Sequence, residues 1–291
     1  MNKESLSMIK MKVFKCISVL LVGCGILLGC GSKAPMEDAM SLITNANSAL
    51  VTKDNLSIIK NTTTTVGKES AETTQKLITN DNNKSWYSTT SYAPQSDLDI
   101  KNEQVYFDGC EYIKGIDDGW ISINNGSTSK IPVLEEILTM EFEISDCQKV
   151  DLIDQSGNKK IVFELSPKFI KKMQKRNIHL AEESIKSAEK QENPTKELIE
   201  SSKSILEQIK SIKYEFYKLT FVVNDEGVLI EKLLEVKYKA PELVPGDNNV
   251  MVLGDILENE IKTHFIVEDY GADNNNLLEE LKNKVLNNLI D

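Results

Sequence analysis

Apolar residues recur along this chain first at three- and four-residue spacing, then at every second position. Each change of period marks an element boundary. Ala39, Met40, Ile43, Ala46 and Leu50 predict a helix over Met36 to Val51. From Ser57 the pattern turns to β. Ser57 to Val66 closes on a threonine run, Glu72 to Thr79 follows, and Ser85 to Ala93, "SWYSTTSYA", is rich in aromatic and β-branched residues. Two Asp-Gly pairs, Asp108-Gly109 in "QVYFDGCEYIKG" and Asp118-Gly119 in "DDGWISI", predict tight hairpin turns. Strands this closely spaced make an antiparallel meander rather than βαβ units.

A short helix over Ile131 to Leu138 comes next. Two long strands then fill "MEFEISDCQKVDLIDQSGNKKIVFELS" around the turn Gln155-Ser156-Gly157-Asn158. After Pro167 the helical period returns in a charged pair, Phe169 to Lys190 and Thr195 to Ile212, broken at Asn193-Pro194. In its second member Leu198, Ile199, Ser202, Ile205, Leu206 and Ile209 form a mostly apolar stripe. Such a pair either lies on the sheet and completes its core, or covers a cavity as a lid.

Strands resume with a hairpin around Asn224-Asp225-Glu226-Gly227. Val228, Ile230, Leu234, Val236 and Tyr238 share one face, which only Lys232 breaks. In the strand before it, Tyr214 and Phe216 have one parity while Tyr217, Leu219 and Phe221 have the other. That switch calls for a bulge or for a strand covered on both faces. Lys262 to Asp269 gives a last strand. Asp273 or Asn274 then caps a terminal helix with Leu277, Leu278, Leu281, Val285 and Leu289 inward. No fixed repeat and no long linker interrupts the chain, so one domain over residues 37–291 is expected, with the helical insert at about 168–212.

The amino-terminal segment reads differently. Lys10, Lys12 and Lys15 precede an apolar run from Cys16 to Leu28, and polar residues resume after Cys30. That order is a secretory signal, and the run falls short of the ~20 residues a membrane-spanning helix needs. Leu27-Leu28-Gly29-Cys30 resembles the lipobox of bacterial lipoproteins, in which the cysteine sulfur takes a diacylglyceryl group and becomes the mature terminus. Leu21-Val22-Gly23-Cys24 matches as well, but cleavage there would leave Gly25 to Leu28 exposed beside the lipid. Cys30 is the expected attachment site, with Cys24 as the alternative. Residues 1–29 are then a signal peptide and residues 30–36 a tether on the outer face of the cell membrane.

Composition narrows the function classes. The 291 residues carry a net charge of -11, and losing residues 1–29 removes four lysines against one glutamate. So acidic a surface repels nucleic-acid phosphates, and Arg176, the only arginine, leaves little for bidentate phosphate clamps. No G-x-S-x-G, phosphate-cradling loop, H-E-x-x-H or C-x-x-C is present, and neither His179 nor His264 has a carboxylate or cysteine at relay or ligand spacing along the chain. No cofactor, metal site or catalytic residue is therefore assigned. Cys110 and Cys147 remain open between a disulfide, worth ~4 kcal/mol in the chain-entropy model, and two separate buried thiols.

The tyrosine strand, Asp-Gly turn, Tyr-x-Lys and tryptophan of "QVYFDGCEYIKGIDDGWISI", with "VEDYGAD" after a late strand, resemble the bacterial lipoproteins related to the LolA and LppX/LprG carriers, closest to their uncharacterised Gram-positive members. The resemblance covers about two fifths of the mature chain. It implies an α+β fold: a curved antiparallel sheet, an incomplete β-barrel, with helices over the opening and acyl chains or other apolar ligands held between them. The helical pair and the terminal helix depart from that pattern.

Three function classes follow. The first is a membrane-anchored, non-catalytic binding protein for a lipid or another apolar ligand. The second is a cell-envelope interaction module with a filled core, its protein partner unread. The third and weakest is an envelope hydrolase. Trp86, Tyr106, Phe163, Tyr214, Phe216 and Phe221 are the candidates for lining an apolar cavity, or else for filling the core.

Overall fold

The computed structural model describes residues 33–53, 55–80, 85–92, 101–115, 119–123, 132–140, 142–190, 196–246, 250–271 and 274–289. Cys24, Cys30, Asp118 and the Asn193-Pro194 break lie outside this set. Helix α1 covers Lys33–Val51. Strands β1 (Leu56–Val66), β2 (Glu69–Asn80), β3 (Ser85–Tyr92), β4 (Lys101–Phe107), β5 (Cys110–Lys114) and β6 (Trp120–Ile123) form the first meander. After α2 (Pro132–Leu138) come β7 (Cys147–Gln155), β8 (Asn158–Leu165), the helical pair α3 (Pro167–Glu189) and α4 (Lys196–Ser211), and β9 (Lys213–Val223). Two long strands, β10 (Leu229–Pro245) and β11 (Met251–Tyr270), and helix α5 (Asn275–Asn287) end the chain.

All eleven strands join one antiparallel sheet in the order β6-β5-β4-β3-β2-β1-β11-β10-β9-β8-β7. Two meanders thus run outward from a central seam, where β1 pairs with β11 from Leu56↔Tyr270 to Val66↔Asn259. The ends do not meet, so the sheet is open. It curls around α1. Strands from β3 to β8 contribute to one apolar cluster with that helix, a span of ~29 Å if laid flat at ~4.8 Å per strand, against a helix only ~10–12 Å across.

Strand pairing sorts the side chains. On the inner face, toward α1, lie Ile58, Leu77, Trp86, Ile161, Phe163, Leu219, Phe221 and Phe265. Against them α1 sets Ala39, Ile43, Ala46 and Leu50, all fully buried at helical spacing, the two alanines allowing close approach. The outer face of β9, β10 and β11 is charged, with Lys218–Glu235 at 3.0 Å and Lys239 between Glu215 (3.4 Å) and Glu258 (3.1 Å). A second, smaller cluster sits on the outer face of β4, β5 and β6, where Val105, Phe107, Tyr112 and Trp120 pack against Val285 of α5.

The parity switch in β9 is a bulge. Lys237 faces Phe216 but Tyr238 faces Tyr214, so Glu215 is the extra residue and Tyr214 is returned to the inner face. Elsewhere the sequence reading needs correction. Phe142 to Asp146 is not strand: a 3-10 turn at Ile144–Asp146, with Glu143 and Asp146 capping each other, precedes β7. β11 begins at Met251 rather than Lys262, and on α5 only Leu278 and Val285 are buried, whereas Leu277 and Leu289 are exposed.

Candidate functional site

Lys232 breaks an apolar face because of what lies across from it. It pairs with Phe221 on one side and Phe265 on the other, which places its side chain on the inner face, only 7% exposed. The ammonium donates to the carbonyls of Glu136 (2.7 Å) and Thr139 (2.8 Å), and it lies 5.7 Å from the centre of the Phe265 ring and 5.9 Å from that of Phe221. These carbonyls are the open acceptors at the carboxyl end of α2, where the helix dipole favours positive charge. α2 is held on the inner face at two further points. Asn47 of α1 donates to Leu138 O at 3.0 Å, and Lys60 of β1 contacts the Glu136 carboxylate at 2.6 Å.

Beside α2 the inner face is not filled. A cavity of ≈ 200 Å³, open on one side, has apolar walls of Phe142, Phe169, Tyr217, Leu219, Leu234 and Phe265. Its polar margin is Glu136, Thr139, Lys232 and Thr263. Each wall comes from a different part of the chain. Phe142 precedes the 3-10 turn, Phe169 opens α3 behind its Ser166 cap, and the rest stand on β9, β10 and β11. The chemistry on offer is an apolar slot with one lysine, Lys232, and one acid, Glu136, at its margin. Among the described residues no group of three or more His, Cys, Asp or Glu side chains is placed to hold a metal ion.

None of the six aromatic candidates is among the walls of this cavity. Trp86, Phe163 and Phe221 are core, at 3% exposure or less, and Tyr106 stacks on Trp86 with ring centres 6.1 Å apart. Tyr214 pairs with Tyr238 at 5.7 Å, and Phe216 points to the outer face. Sequence reasoning missed the cavity's own residues, apart from the Lys232 anomaly. Phe142 and Phe169 belong to a segment read as strand and to a helix start, so no period joined them to Tyr217 or Leu234.

The other candidates are scattered. Cys110 packs against the small outer cluster and Cys147 against the main core, both as free thiols; no disulfide joins them. Burial, with a smaller contribution from Asp146, pushes the Cys147 thiol from 9.0 up to about 11. His264 has a carboxylate neighbour that its sequence surroundings did not reveal, Glu231 at 3.2 Å across the β10–β11 ladder on the outer face. α4 lies along β10 and β11, with Ser201 accepting from the Met251 amide (3.1 Å) and Gln208 donating to Pro241 O (2.7 Å). Of the pair, α4 is therefore laid on the sheet and α3 packs against α4, reaching the cavity wall with Phe169.

No family model and no curated protein matches the chain. Among solved structures it is similar to LprF from Mycobacterium bovis, at 9% identity and a TM-score of 0.37, over 81% of this chain and 94% of that one. It is also similar to a LolA superfamily protein from Nitrosomonas europaea, at 10% identity and a TM-score of 0.26, over 79% and 94%. A DUF1329 family protein from Desulfovibrio piger gives 10% and 0.27, over 82% and 95%. Superpositions this loose carry no argument about ligand or partner, and the functional reading rests on the geometry of the inner face.

Proposed function

We propose that the chain is a non-catalytic carrier of an apolar ligand, tethered to the outer face of the cell membrane through a diacylglyceryl group on Cys30. The observation that supports it is the aromatic-walled cavity of ≈ 200 Å³ between the inner face and α2. Apolar ligands bind in concave sites with a few placed polar groups, and this cavity has that composition. It is small. At ~30 Å³ for a group the size of a water molecule, it takes about six or seven such groups, and a larger ligand would extend from its open side. Native mass spectrometry of the full chain released from detergent tests the reading. A one-to-one, non-covalent apolar species is expected; its repeated absence, with no binding of added alkyl compounds, would sink it.

The anchor has its own test. Cys30→Ala should abolish incorporation of labelled palmitate, whereas Cys24→Ala should leave it intact; the reverse result moves the mature terminus to Cys24. Two acyl chains bury enough methylenes, at ~0.8 kcal/mol each, for stable attachment.

One observation favours a second reading. Phe163, Phe221 and Phe265 are all within 2% of full burial, so most of the inner face is solid, as an interaction module requires. Exposed apolar side chains on β11 (Ile256, 68%) and α4 (Leu198, 50%) would then belong to its docking surface. The ligand test separates the two readings.

A further inference from the structure

We propose that the exposed face of the first half of α3 is a docking surface for the anionic headgroups of the membrane that holds the chain. The proposal rests on the tether and adds the orientation of the body above the bilayer.

Between Lys168 and Leu180 stand Lys168, Lys171, Lys172, Lys175 and Arg176, and the first acid of the helix is Glu182. At ~100° per residue the five cations fall within an arc of ~140°, and all are exposed. The rest of the helix surface is used for packing. Phe169 and Ile185 are buried, and Gln174 donates to the carbonyls of Ile209 (3.1 Å) and Ile212 (3.1 Å) at the end of α4. Helix stability does not account for the stripe. Lys168 and Lys172, Lys171 and Lys175, and Lys172 and Arg176 are like charges four residues apart, which repel. They also crowd the amino half of the helix, where the dipole favours anions. Lys172 is 3.8 Å from Asp146, yet its side chain stays 66% exposed.

The stripe lies near the proposed anchor. α1 leaves the β9–β10 turn, where Lys53 meets Glu226 at 3.3 Å. It touches the 3-10 turn at the opposite end of the sheet, next to the Cys147–Leu165 pair. Its amino end therefore points toward the end of the sheet from which α3 emerges. Cys30 precedes Lys33, the start of α1, by three residues, a reach of ~10 Å. The same 3-10 turn carries Asp146, the neighbour of Lys172. Charge complementarity selects the occupant. A net charge of -11 turns most of the surface away from an anionic bilayer, while screening over ~8 Å lets the stripe respond to headgroups that it touches. Phe169, in the same turn of helix, is a cavity wall, so docking brings that side of the body toward the bilayer.

Lysine footprinting of the full chain with its anchor, reconstituted in vesicles, tests this. Vesicles of phosphatidylcholine alone are compared with vesicles holding about one third phosphatidylglycerol, and acetylation is read peptide by peptide. Lys171 and Lys175 should react about threefold more slowly on the anionic vesicles, and about 0.5 M salt should erase the difference. Lys159, at the far end of the sheet, should react alike on both. Lys171→Glu with Lys175→Glu should abolish the protection of Lys168, and the paired arginine variant should keep it. Both side chains are exposed, so neither pair of substitutions disturbs packing. Equal rates on the two kinds of vesicle, protected or not, overturn the docking surface. Protection by soluble polyglutamate with none by the anionic vesicles also overturns it, in favour of an acidic protein partner. The tether is judged separately: a chain that takes no palmitate on Cys30 but shows the protection keeps the docking face and loses the anchor.

Discussion

Cys147 and Tyr87 show how burial sets chemistry one residue at a time. With its thiol held at about 11, Cys147 offers little thiolate at neutral pH, and thiolate is the reactive form. Its alkylation rate should rise about tenfold per pH unit from 8 to 10, followed by mass spectrometry of its peptide; a plateau near pH 8.5 would contradict this. Tyr87 is pushed well above its usual 10.0, first by burial, then by its hydrogen bond at 2.6 Å to Glu103 and by that carboxylate's charge. Burial likewise raises Tyr214 and Tyr238. The sign is the same for all four groups: the fold holds the protonated form. Their contribution is complete below the unfolded values, about 9 for the thiol and 10 for the phenols, and is lost as pH climbs through the raised ones. Melting temperature should therefore hold steady to about pH 9 and fall above it, and Tyr87→Phe should flatten part of that fall. An unchanged slope in the variant would remove Tyr87 from the account.

Short elements decide the register of long ones. The β7–β8 turn places Ser156 at φ +52° and Gly157 at φ +90°, and Asp108-Gly109 does the same at +51° and +80°. Both central residues are left-handed, the geometry whose twist suits a two-residue hairpin. Gly157→Ala should cost ~1–2 kcal/mol in urea unfolding, since an alanine strains there, and Ser156→Asn should gain a few tenths. A neutral Gly157→Ala would mean that the turn relaxes freely. These turns were legible because they need only two or three adjacent residues. So was the β9 bulge, because Tyr214 and Tyr217 differ in parity within one strand. The outer half of the β10–β11 ribbon was not, since Pro241, Gly254 and Asp255 interrupt its apolar alternation. They form instead part of a pairing whose register shifts between Pro241 and Leu243. The cavity was least legible. Lys232 announced itself as an exception on its own strand, but its partners, Glu136 and Thr139, come from a helix more than ninety residues earlier.

At the scale of the whole molecule, the charged outer face and the apolar inner face explain why an open sheet of eleven strands stays curled around one helix. Burial of the inner side chains drives the curvature, and ion pairs on the outer face, each worth ~0–1 kcal/mol, add little beyond solubility. The sheet has no closing pair to lock it, so its integrity depends on the seam. Deleting residues 250–291 should abolish cooperative unfolding, read by circular dichroism and calorimetry. A truncated chain that still melts in one sharp transition would show that the two meanders stand alone. The seam also puts a clock on the protein. β1 is the first strand of the sheet to be made and β11 the last, so the pair at its centre cannot form until both meanders have left the ribosome. Contacts this far apart in sequence form slowly. For a chain exported as an unfolded thread, as the proposed signal peptide requires, that delay is an advantage, because the strand that would finish the fold is always the last to arrive.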